Sequence, residues 1–340
     1  MKRSTDRILT THAGSLPRPD DLRAMILKKQ QGERIDEAAF AVRVESAVGE
    51  IVGRQSEAGI DIVADGEMGR IGFIPYVNER LAGIEPARGP APANYWNESR
   101  EYQAFPQFYA WASQMPGTAG QTGRTRWVCT GPVSYKGLPA LTRDIATLKA
   151  ALAGKRYEEA FMPAVSPANL ANWNRNEHYA SEEEYLYALA DALREEYKAI
   201  IDAGLVLQVD DPLFASYYVM HPEASIEDCR KWALTRVDAL NHALRGLPED
   251  KIRYHTCYSI NIGPRVHDME LKNIVEHPEL IAERIGRFAS AVGRENVIAG
   301  ADCGFASFAA TCEVHPSVVW VKLQALAEGA RIASKELWRR

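Results

Sequence analysis

The side chains best suited to metal chemistry are one histidine and two cysteines that end apolar runs of the sequence. His255 and Cys257 lie two positions apart in KIRYHTCYS, which is predicted as a strand. Alternate residues of a strand face the same side, so this imidazole and thiol can point at one ion. Cys303 ends a further predicted strand, NVIAGADCG. One imidazole nitrogen and two thiolates suit zinc, and three protein ligands leave one position open for chemistry.

A zinc ion held in this way would act on a thiol that the substrate supplies. A coordinated thiol is deprotonated at neutral pH, whereas a free thiol with a pKa of about 8.5 is mostly protonated. We therefore expect the metal to present a substrate thiolate to an electrophilic carbon. The alternative is that the cysteines are small buried apolar residues, which a lone His-x-Cys pattern would favour.

Acidic residues follow two other apolar runs. Asp65 and Glu67 lie in the turn after GIDIVA, and Asp210 and Asp211 directly follow LVLQV. Neighbouring residues of a strand point to opposite faces, so only one of Asp210 and Asp211 is expected to face a site. For Asp65 and Glu67, a turn with solvated charges is an equally good interpretation from the residues alone.

These residues need elements that bring the ends of several strands together. Short apolar runs alternate with amphipathic stretches, which is typical of a parallel sheet covered by helices. The predicted strands are RILTTHA, GIDIVADGE, RWVCTGPV, LVLQVDDP, KIRYHTCYS and NVIAGADCG, while FMPAVSPAN is strand or loop. The predicted helices are 36–57, 181–202, 226–245, 277–292 and 317–337.

The polar candidates, among them His12 and Ser15, fall where these strands end, which is where barrels of alternating strands and helices carry their sites. We therefore predict an α/β fold with a single (β/α)₈ barrel domain over residues 1–340. Two of the eight strands are absent from the sequence between residues 258 and 297. Residues 85–125, rich in Pro, Gly and aromatic side chains, are predicted as a long excursion over the barrel mouth.

Composition narrows the class of partner. The 340 residues carry a formal net charge of −5, which disfavours a nucleic-acid partner because phosphate binding needs a basic face. The sequence has no apolar run of about 18 residues and no early signal-peptide pattern, so we predict a cytoplasmic protein without a membrane span. The five cysteines are odd in number and irregularly spaced, and are predicted as free thiols or metal ligands.

Six motifs in order resemble cobalamin-independent methionine synthase. They are TTHAGSLPRP, DGEMGR, TGPVSY, LQVDDP, HTC and ADCG, and they cover nearly the whole chain. The resemblance is closest to the short, single-barrel relatives that correspond to the catalytic C-terminal half of the full enzyme. Those relatives include epoxyalkane:coenzyme M transferase, which opens epoxides with a zinc-bound thiol.

The resemblance implies roles for individual residues. His255, Cys257 and Cys303 match the zinc ligands of the family, and Ser15 matches a residue that holds the homocysteine carboxylate. Glu67 and Asp210, with Asp211 as the neighbour of the second, match the catalytic carboxylates that bind the homocysteine ammonium group. Carboxylates are the natural partners of an α-ammonium group. The methyl donor implied is the N5-methyl group of a reduced folate, such as 5-methyltetrahydrofolate.

The sequence departs from the family after the HTC motif. The family has a fourth zinc ligand, a glutamate, in a longer segment with two strands, whereas this chain passes from HDMELKN to IVEHPEL. No fourth protein ligand is therefore assigned, although Glu270 or His267 could reach the metal. If a segment is missing from this sequence, the junction should fall near 270–275, with consecutive Cα atoms much farther apart than about 3.8 Å. If the segment is truly lost from the protein, the chain should continue there with normal Cα spacing.

Two alternatives to a homocysteine methyltransferase stay open. Coenzyme M carries a sulfonate and no ammonium group, so a transferase of the epoxide type would need a cation such as Arg18 or Arg70. A non-catalytic protein that binds zinc or a thiol on the same scaffold is the other alternative. The sequence leaves the oligomeric state open.

Overall fold

The computed structural model describes residues 1–87, 99–112, 127–212, 214–257, 277–301, 303–307, 309 and 314–339. The chain divides into two compact units. The first unit comprises Met1–Arg70, Ile145–Met162 and Glu270–Arg340, and the second comprises Ile71–Asp144 and Pro163–Met269. A single domain over 1–340 stays a prediction, and each unit is described by itself below.

The described residues form short strands and longer helices. The strands are β1 (Leu9–Thr10), β2 (Ile62–Val63), β3 (Leu81–Pro86), β4 (Trp127–Tyr135), β5 (Glu159–Val165), β6 (Asn174–Asn176), β7 (Val206–Asp210), β8 (Ile252–His255) and β9 (Ile298–Ala299). The α-helices are α1 (Asp20–Gln30), α2 (Glu37–Glu57), α3 (Phe73–Asn78), α4 (Arg100–Ala104), α5 (Pro106–Ala112), α6 (Leu138–Leu152), α7 (Pro167–Trp173), α8 (Glu182–Asp202), α9 (Tyr217–Met220), α10 (Ile226–Leu244), α11 (Pro278–Val292) and α12 (Pro316–Leu337). None of these helices is long and apolar enough to cross a membrane.

The first unit contains two parallel strand pairs. Strand β1 pairs with β9, with Leu9 opposite Ile298, and β2 pairs with the start of β5. Helix α12 packs beside β1 and β9 and against α11, and buried residues of these elements form one apolar cluster. The two helices approach so closely that a Cβ atom at Gly329 would lie 2.6 Å from Cβ of Ile281. A larger residue at Gly329 would force the helices apart.

The second unit contains a parallel pair and a mixed sheet. Strands β7 and β8 are parallel, and their register places Asp210 opposite His255. Strand β4 pairs antiparallel with β3 and parallel with β6. Helix α8 packs on β4 and β7 and buries one apolar face, which includes Tyr185, Leu189 and Tyr197.

The longer helices begin where their capping residues predict. The Ser181 hydroxyl accepts a hydrogen bond from the Glu184 backbone at the start of α8, and three glutamates occupy its first turn. Negative charge in a first turn is favourable beside the positive end of the helix dipole. Asp36 caps α2 in the same way, so the predicted helices that start at these positions are confirmed.

The α/β fold with parallel strands is confirmed, whereas a complete eight-stranded barrel is not confirmed by the structure. The run RWVCTGPV forms strand β4, but its longest pairing is antiparallel, with β3, which the sequence did not predict. A register shift between Ala82 and Ile84 accommodates this pairing beside Gly131 and Pro132. The run FMPAVSPAN resolves into β5 followed by α7.

Several predictions fall outside the described residues. The segment after the HTC motif lies there, so the junction at 270–275 and the positions of His267 and Glu270 stay predictions. Of the predicted excursion over 85–125, the described part contains the end of β3 and the short helices α4 and α5. No disulfide joins any two of the described cysteines, Cys129, Cys229, Cys257 and Cys303.

Candidate functional site

The carboxyl ends of β7 and β8 join an acid and an imidazole. Asp210 and His255 occupy paired positions, and Asp210 Oδ1 lies 2.9 Å from His255 Nδ1. A carboxylate oxygen accepts hydrogen bonds, so Nδ1 carries the proton in this contact. Nε2 is then the nitrogen without a proton, which is the tautomer that metal-binding histidines usually have.

The same acid belongs to a longer chain of polar side chains. Gln208 donates from Nε2 to Asp210 Oδ1 at 2.7 Å, and Arg253 donates from Nε to Gln208 Oε1 at 2.8 Å. Gln208 is only 2% exposed. Sequence reasoning overlooked Gln208 and Arg253. Their signal was the alternation of polar residues, each two positions before a residue already singled out on its strand.

The cysteines of the candidate metal centre lie in different units. Cys257 is buried two residues after His255 in the second unit, whereas Cys303 is half-buried in the first. In the described part of the chain, no three His, Cys, Asp or Glu side chains are gathered closely enough to hold a metal ion. The donor types fit zinc, with a thiol and an oriented imidazole at the end of one strand. Convergence of His255, Cys257 and Cys303 on one ion stays a prediction.

Glu67 lies in a constrained turn of the first unit. Its backbone has φ of 59°, the left-handed region that non-glycine residues seldom adopt, and its side chain is buried. Asp65 Oδ1 accepts from the Glu67 backbone N–H at 3.0 Å, and Arg18 donates to the Glu67 carbonyl oxygen at 2.9 Å. Such strained residues persist where surrounding contacts fix them, often at functional sites.

The Gly-Ser turn contacts the segment that carries Cys303. The Phe305 backbone N–H donates to the Ser15 carbonyl oxygen at 3.0 Å, and Ala306 N–H donates to Ser15 Oγ at 3.3 Å. Arg18 also donates to the Ala306 carbonyl oxygen at 2.7 Å. The first unit therefore holds Ser15, the Glu67 turn and the residues after Cys303 together through Arg18.

Asp211 has a different environment from Asp210. Desolvation raises the pKa of Asp211 to about 6, partly offset by hydrogen bonds from Ser166 and Tyr254. The contact of Asp210 with His255 and those of Asp211 with Ser166 and Tyr254 agree with opposite orientations of the two side chains. His12, another polar residue at a strand end, contacts Gln55 through Nε2 and the Gly14 backbone through Nδ1.

Comparison with known proteins agrees with the motifs. Residues 8–95 match the family model described as the catalytic domain of cobalamin-independent synthase. The chain is 27% identical over 252 residues to a 5-methyltetrahydropteroyltriglutamate–homocysteine methyltransferase of Thermotoga petrophila, covering 74% of this chain and 30% of that protein. It is 25% identical over 379 residues to a methionine synthase of Thermococcus kodakarensis, covering 97% of this chain and 94% of that protein.

Solved structures show the same fold. A B12-independent methionine synthase from Shewanella sp. W3-18-1, in complex with selenomethionine, superposes with a TM-score of 0.71 at 18% identity, covering 97% of this chain and 99% of that one. A putative vitamin-B12 independent methionine synthase from Listeria monocytogenes gives 0.66 at 20% identity, covering 98% and 100%. The chain shares the α/β fold of these solved structures. The resemblance to the cobalamin-independent methionine synthase family is confirmed.

The lengths of the relatives differ from that of this chain. The chain spans only 30% of the Thermotoga petrophila protein and 61% of a methionine synthase of Sulfolobus acidocaldarius. The alignment with the Thermococcus kodakarensis protein runs over 379 residues, which exceeds the 340 residues of the chain. That relative therefore carries residues that this chain lacks.

Proposed function

We propose that the chain is a zinc-dependent methyltransferase of the cobalamin-independent methionine synthase family, which transfers a methyl group to the thiol of homocysteine. The similarity to methyltransferases of this name supports the reaction. The observation that carries the proposal is the contact between Asp210 and His255, because it favours the His255 tautomer that metal-binding histidines usually have. The complete (β/α)₈ barrel and a cytoplasmic location belong to the same proposal.

His255, Cys257 and Cys303 would hold the zinc ion. When bound, zinc would supply an electrophilic centre that keeps the substrate thiol deprotonated at neutral pH. Cys257 is buried, so a thiolate at this position would need a cation beside it. With these three protein ligands, the fourth position of a tetrahedral zinc ion would be taken by the substrate thiolate.

The carboxylates would bind the ammonium group of homocysteine. Both described contacts of the Asp210 carboxylate are made by Oδ1, and Oδ2 has no described partner. The Asp210 side chain retains 13% exposure, so an ammonium group can reach it. Glu67, buried and fixed by its turn, would be the second acid, and the Ser15 hydroxyl would donate to the substrate carboxylate.

The methyl donor in this proposal is 5-methyltetrahydropteroyltriglutamate or a related reduced folate, as the name of the Thermotoga petrophila relative indicates. A decisive test incubates purified protein, reconstituted with one equivalent of zinc, with homocysteine and this donor, and measures methionine. We expect turnover that is lost on chelation and restored by zinc. Methionine formation unaffected by complete zinc removal would contradict the zinc-dependent mechanism.

Transfer to coenzyme M is the second candidate, and the arginines weigh against it. The Arg18 guanidinium donates to the carbonyl oxygens of Glu67 and Ala306, and Arg70 lies 3.7 Å from Asp65 in a buried ion pair. A sulfonate would have to displace these contacts. Parallel assays with coenzyme M and a short epoxide distinguish the two enzymes. A protein that binds zinc and homocysteine stoichiometrically but turns over neither substrate would instead be the non-catalytic alternative.

A further inference from the structure

We propose that Gln208 and Arg253 are positioning residues that act through Asp210 to fix the orientation of His255. The inference rests on the proposed function in one respect, namely that the orientation of His255 serves zinc binding. The hydrogen-bond chain itself is formed by side chains of β7 and β8. The chain runs from Arg253 to Gln208, then to Asp210, where it meets His255.

The register of the two strands produces this arrangement. Gln208 is paired with Arg253 and Asp210 with His255, so two polar pairs lie one above the other on the same face. The side chains of a directly paired position are close enough to hydrogen-bond across the strands. A slip of one residue by either strand would move the two polar side chains of that strand to the opposite face. The arrangement therefore depends on the strand register.

Arg253 and the Asp210 carboxylate determine the direction of the hydrogen bonds in the chain, because one only donates and the other only accepts. Arg253 can only donate, so the oxygen of the Gln208 amide must face it. The Gln208 nitrogen then faces Asp210 and donates to Oδ1. In this orientation, the positive end of the Gln208 amide dipole faces the Asp210 carboxylate. Asp210 Oδ1 is held by Gln208 and in turn holds the proton on His255 Nδ1.

The burial of Gln208 strengthens its hold on Asp210. At 2% exposure, water cannot replace the hydrogen bonds of Gln208 with Arg253 and Asp210, and bonds in such surroundings are stronger than in water. An ammonium group bound at Asp210 Oδ2 would pull the carboxylate away from His255 unless Oδ1 were anchored. Gln208 and Arg253 supply that anchor, which allows one carboxylate to orient a metal ligand and bind a substrate.

Three variants separate the steps of the chain. Gln208→Met keeps the length of the side chain and removes its hydrogen bonds with Arg253 and Asp210. Gln208→Glu keeps an acceptor for Arg253 but cannot donate to Asp210 as a carboxylate, and Arg253→Lys keeps a donor. The exposed Gln31→Met is the matched control. Far-UV circular dichroism and thermal unfolding establish that each variant is folded.

The first readout is the tautomer of His255 in metal-free protein, from the nitrogen chemical shifts of the ring at a pH where it is neutral. We expect a proton on Nδ1 in the wild type and Arg253→Lys, and a mixture of tautomers in Gln208→Met and Gln208→Glu. A single, unchanged tautomer in both folded Gln208 variants overturns the inference. If neither Gln208 variant folds, Arg253→Met decides, with Arg175→Met as its exposed control, because it must then show the mixed tautomer.

The second readout is zinc affinity by competition with a chromophoric chelator. We expect a loss on the order of tenfold in Gln208→Met, the lower end of the usual effect of altering groups that orient a metal ligand, and recovery in Arg253→Lys relative to Arg253→Met. Unchanged affinity in Gln208→Met contradicts the inference. A wild type with the Nδ1 proton but no zinc binding refutes the proposed function and leaves the positioning role standing.

Discussion

A Cβ atom added at Gly304 would lie 2.1 Å from the hydroxyl oxygen of Ser15. The residue after Cys303 therefore must be glycine if Ser15 is to keep its rotamer. In that rotamer, Ser15 Oγ accepts a hydrogen bond from Ala306 N–H, and its carbonyl oxygen accepts from Phe305 N–H. The Gly-Ser turn and the residues after Cys303 are therefore in direct contact within the first unit.

Gly304→Ala should displace the Ser15 hydroxyl. Because that hydroxyl is the proposed partner of the homocysteine carboxylate, we expect KM for homocysteine to rise on the order of tenfold, with the change in kcat smaller, since the loss of one hydrogen bond to a charged group costs about 1.5–3 kcal/mol. Steady-state kinetics with varied homocysteine measures the split.

The matched control is Gly49→Ala, in the middle of α2. A Cβ atom there meets nothing within 4 Å, so the substitution should raise the unfolding free energy by about 0.5–1 kcal/mol and leave KM unchanged. Equal KM values for Gly304→Ala and Gly49→Ala would remove Ser15 from the substrate site.

Glu67→Gln should separate substrate binding from metal binding. The amide cannot neutralise an ammonium group, so homocysteine affinity should fall by about tenfold or more, while zinc content stays at one equivalent. Isothermal titration with homocysteine and metal analysis of the same sample test this. Loss of zinc in folded Glu67→Gln would make Glu67 a metal ligand or a folding determinant, contrary to its assignment.

Asp210→Asn should weaken both homocysteine binding and zinc binding, unlike Glu67→Gln. The amide can accept from His255 Nδ1 but no longer attracts it as a carboxylate does, so zinc affinity should fall by about 10–100-fold together with homocysteine affinity. The exposed Asp238→Asn is the matched control. If Asp210→Asn binds zinc as tightly as wild type, the contact between Asp210 and His255 has no metal-binding role.

The sequence predicted elements better than it predicted pairings. Helices α2, α8, α11 and α12 follow from apolar periodicity and from caps such as Asp36 and Ser181, which act within a few residues. The antiparallel pairing of β3 with β4 joins residues separated by more than forty positions, through a stretch whose composition indicated a loop. Local patterns carry no signal for such a partner.

The candidate site was also predicted only in part from the sequence. The pattern His255-x-Cys257 and the acids after β2 and β7 were visible because reactive side chains followed apolar runs. Gln208 and Arg253 were not recognised, because a polar residue inside a short strand has no meaning until its cross-strand partner is known. The register of β7 and β8, which only the structure gives, turns them into one chain.

Asp211 should make the unfolding free energy fall as pH rises, which is opposite to the usual effect of a carboxyl group. Its pKa is raised from 3.8 to about 6 in the folded protein, mainly by burial. Between these values the folded state binds more protons than the unfolded state, so the unfolding free energy falls as pH rises. The contribution is complete below about pH 4 and lost above about pH 6, with a size on the order of 3 kcal/mol.

The difference in unfolding free energy between wild type and Asp211→Asn isolates this contribution. Denaturant unfolding at pH 4.5, 5.5 and 7.5 should show wild type losing stability relative to the variant as pH rises. Asp228→Asn is the control of opposite sign, because the hydrogen bond from Ser225 lowers the pKa of the exposed Asp228. Wild type should therefore gain stability relative to Asp228→Asn as pH rises from strongly acidic values. A pH-independent difference for Asp211→Asn would mean that this carboxyl is ionised or solvated in the folded protein, and that the packing around Ser166 and Tyr254 differs from the one described.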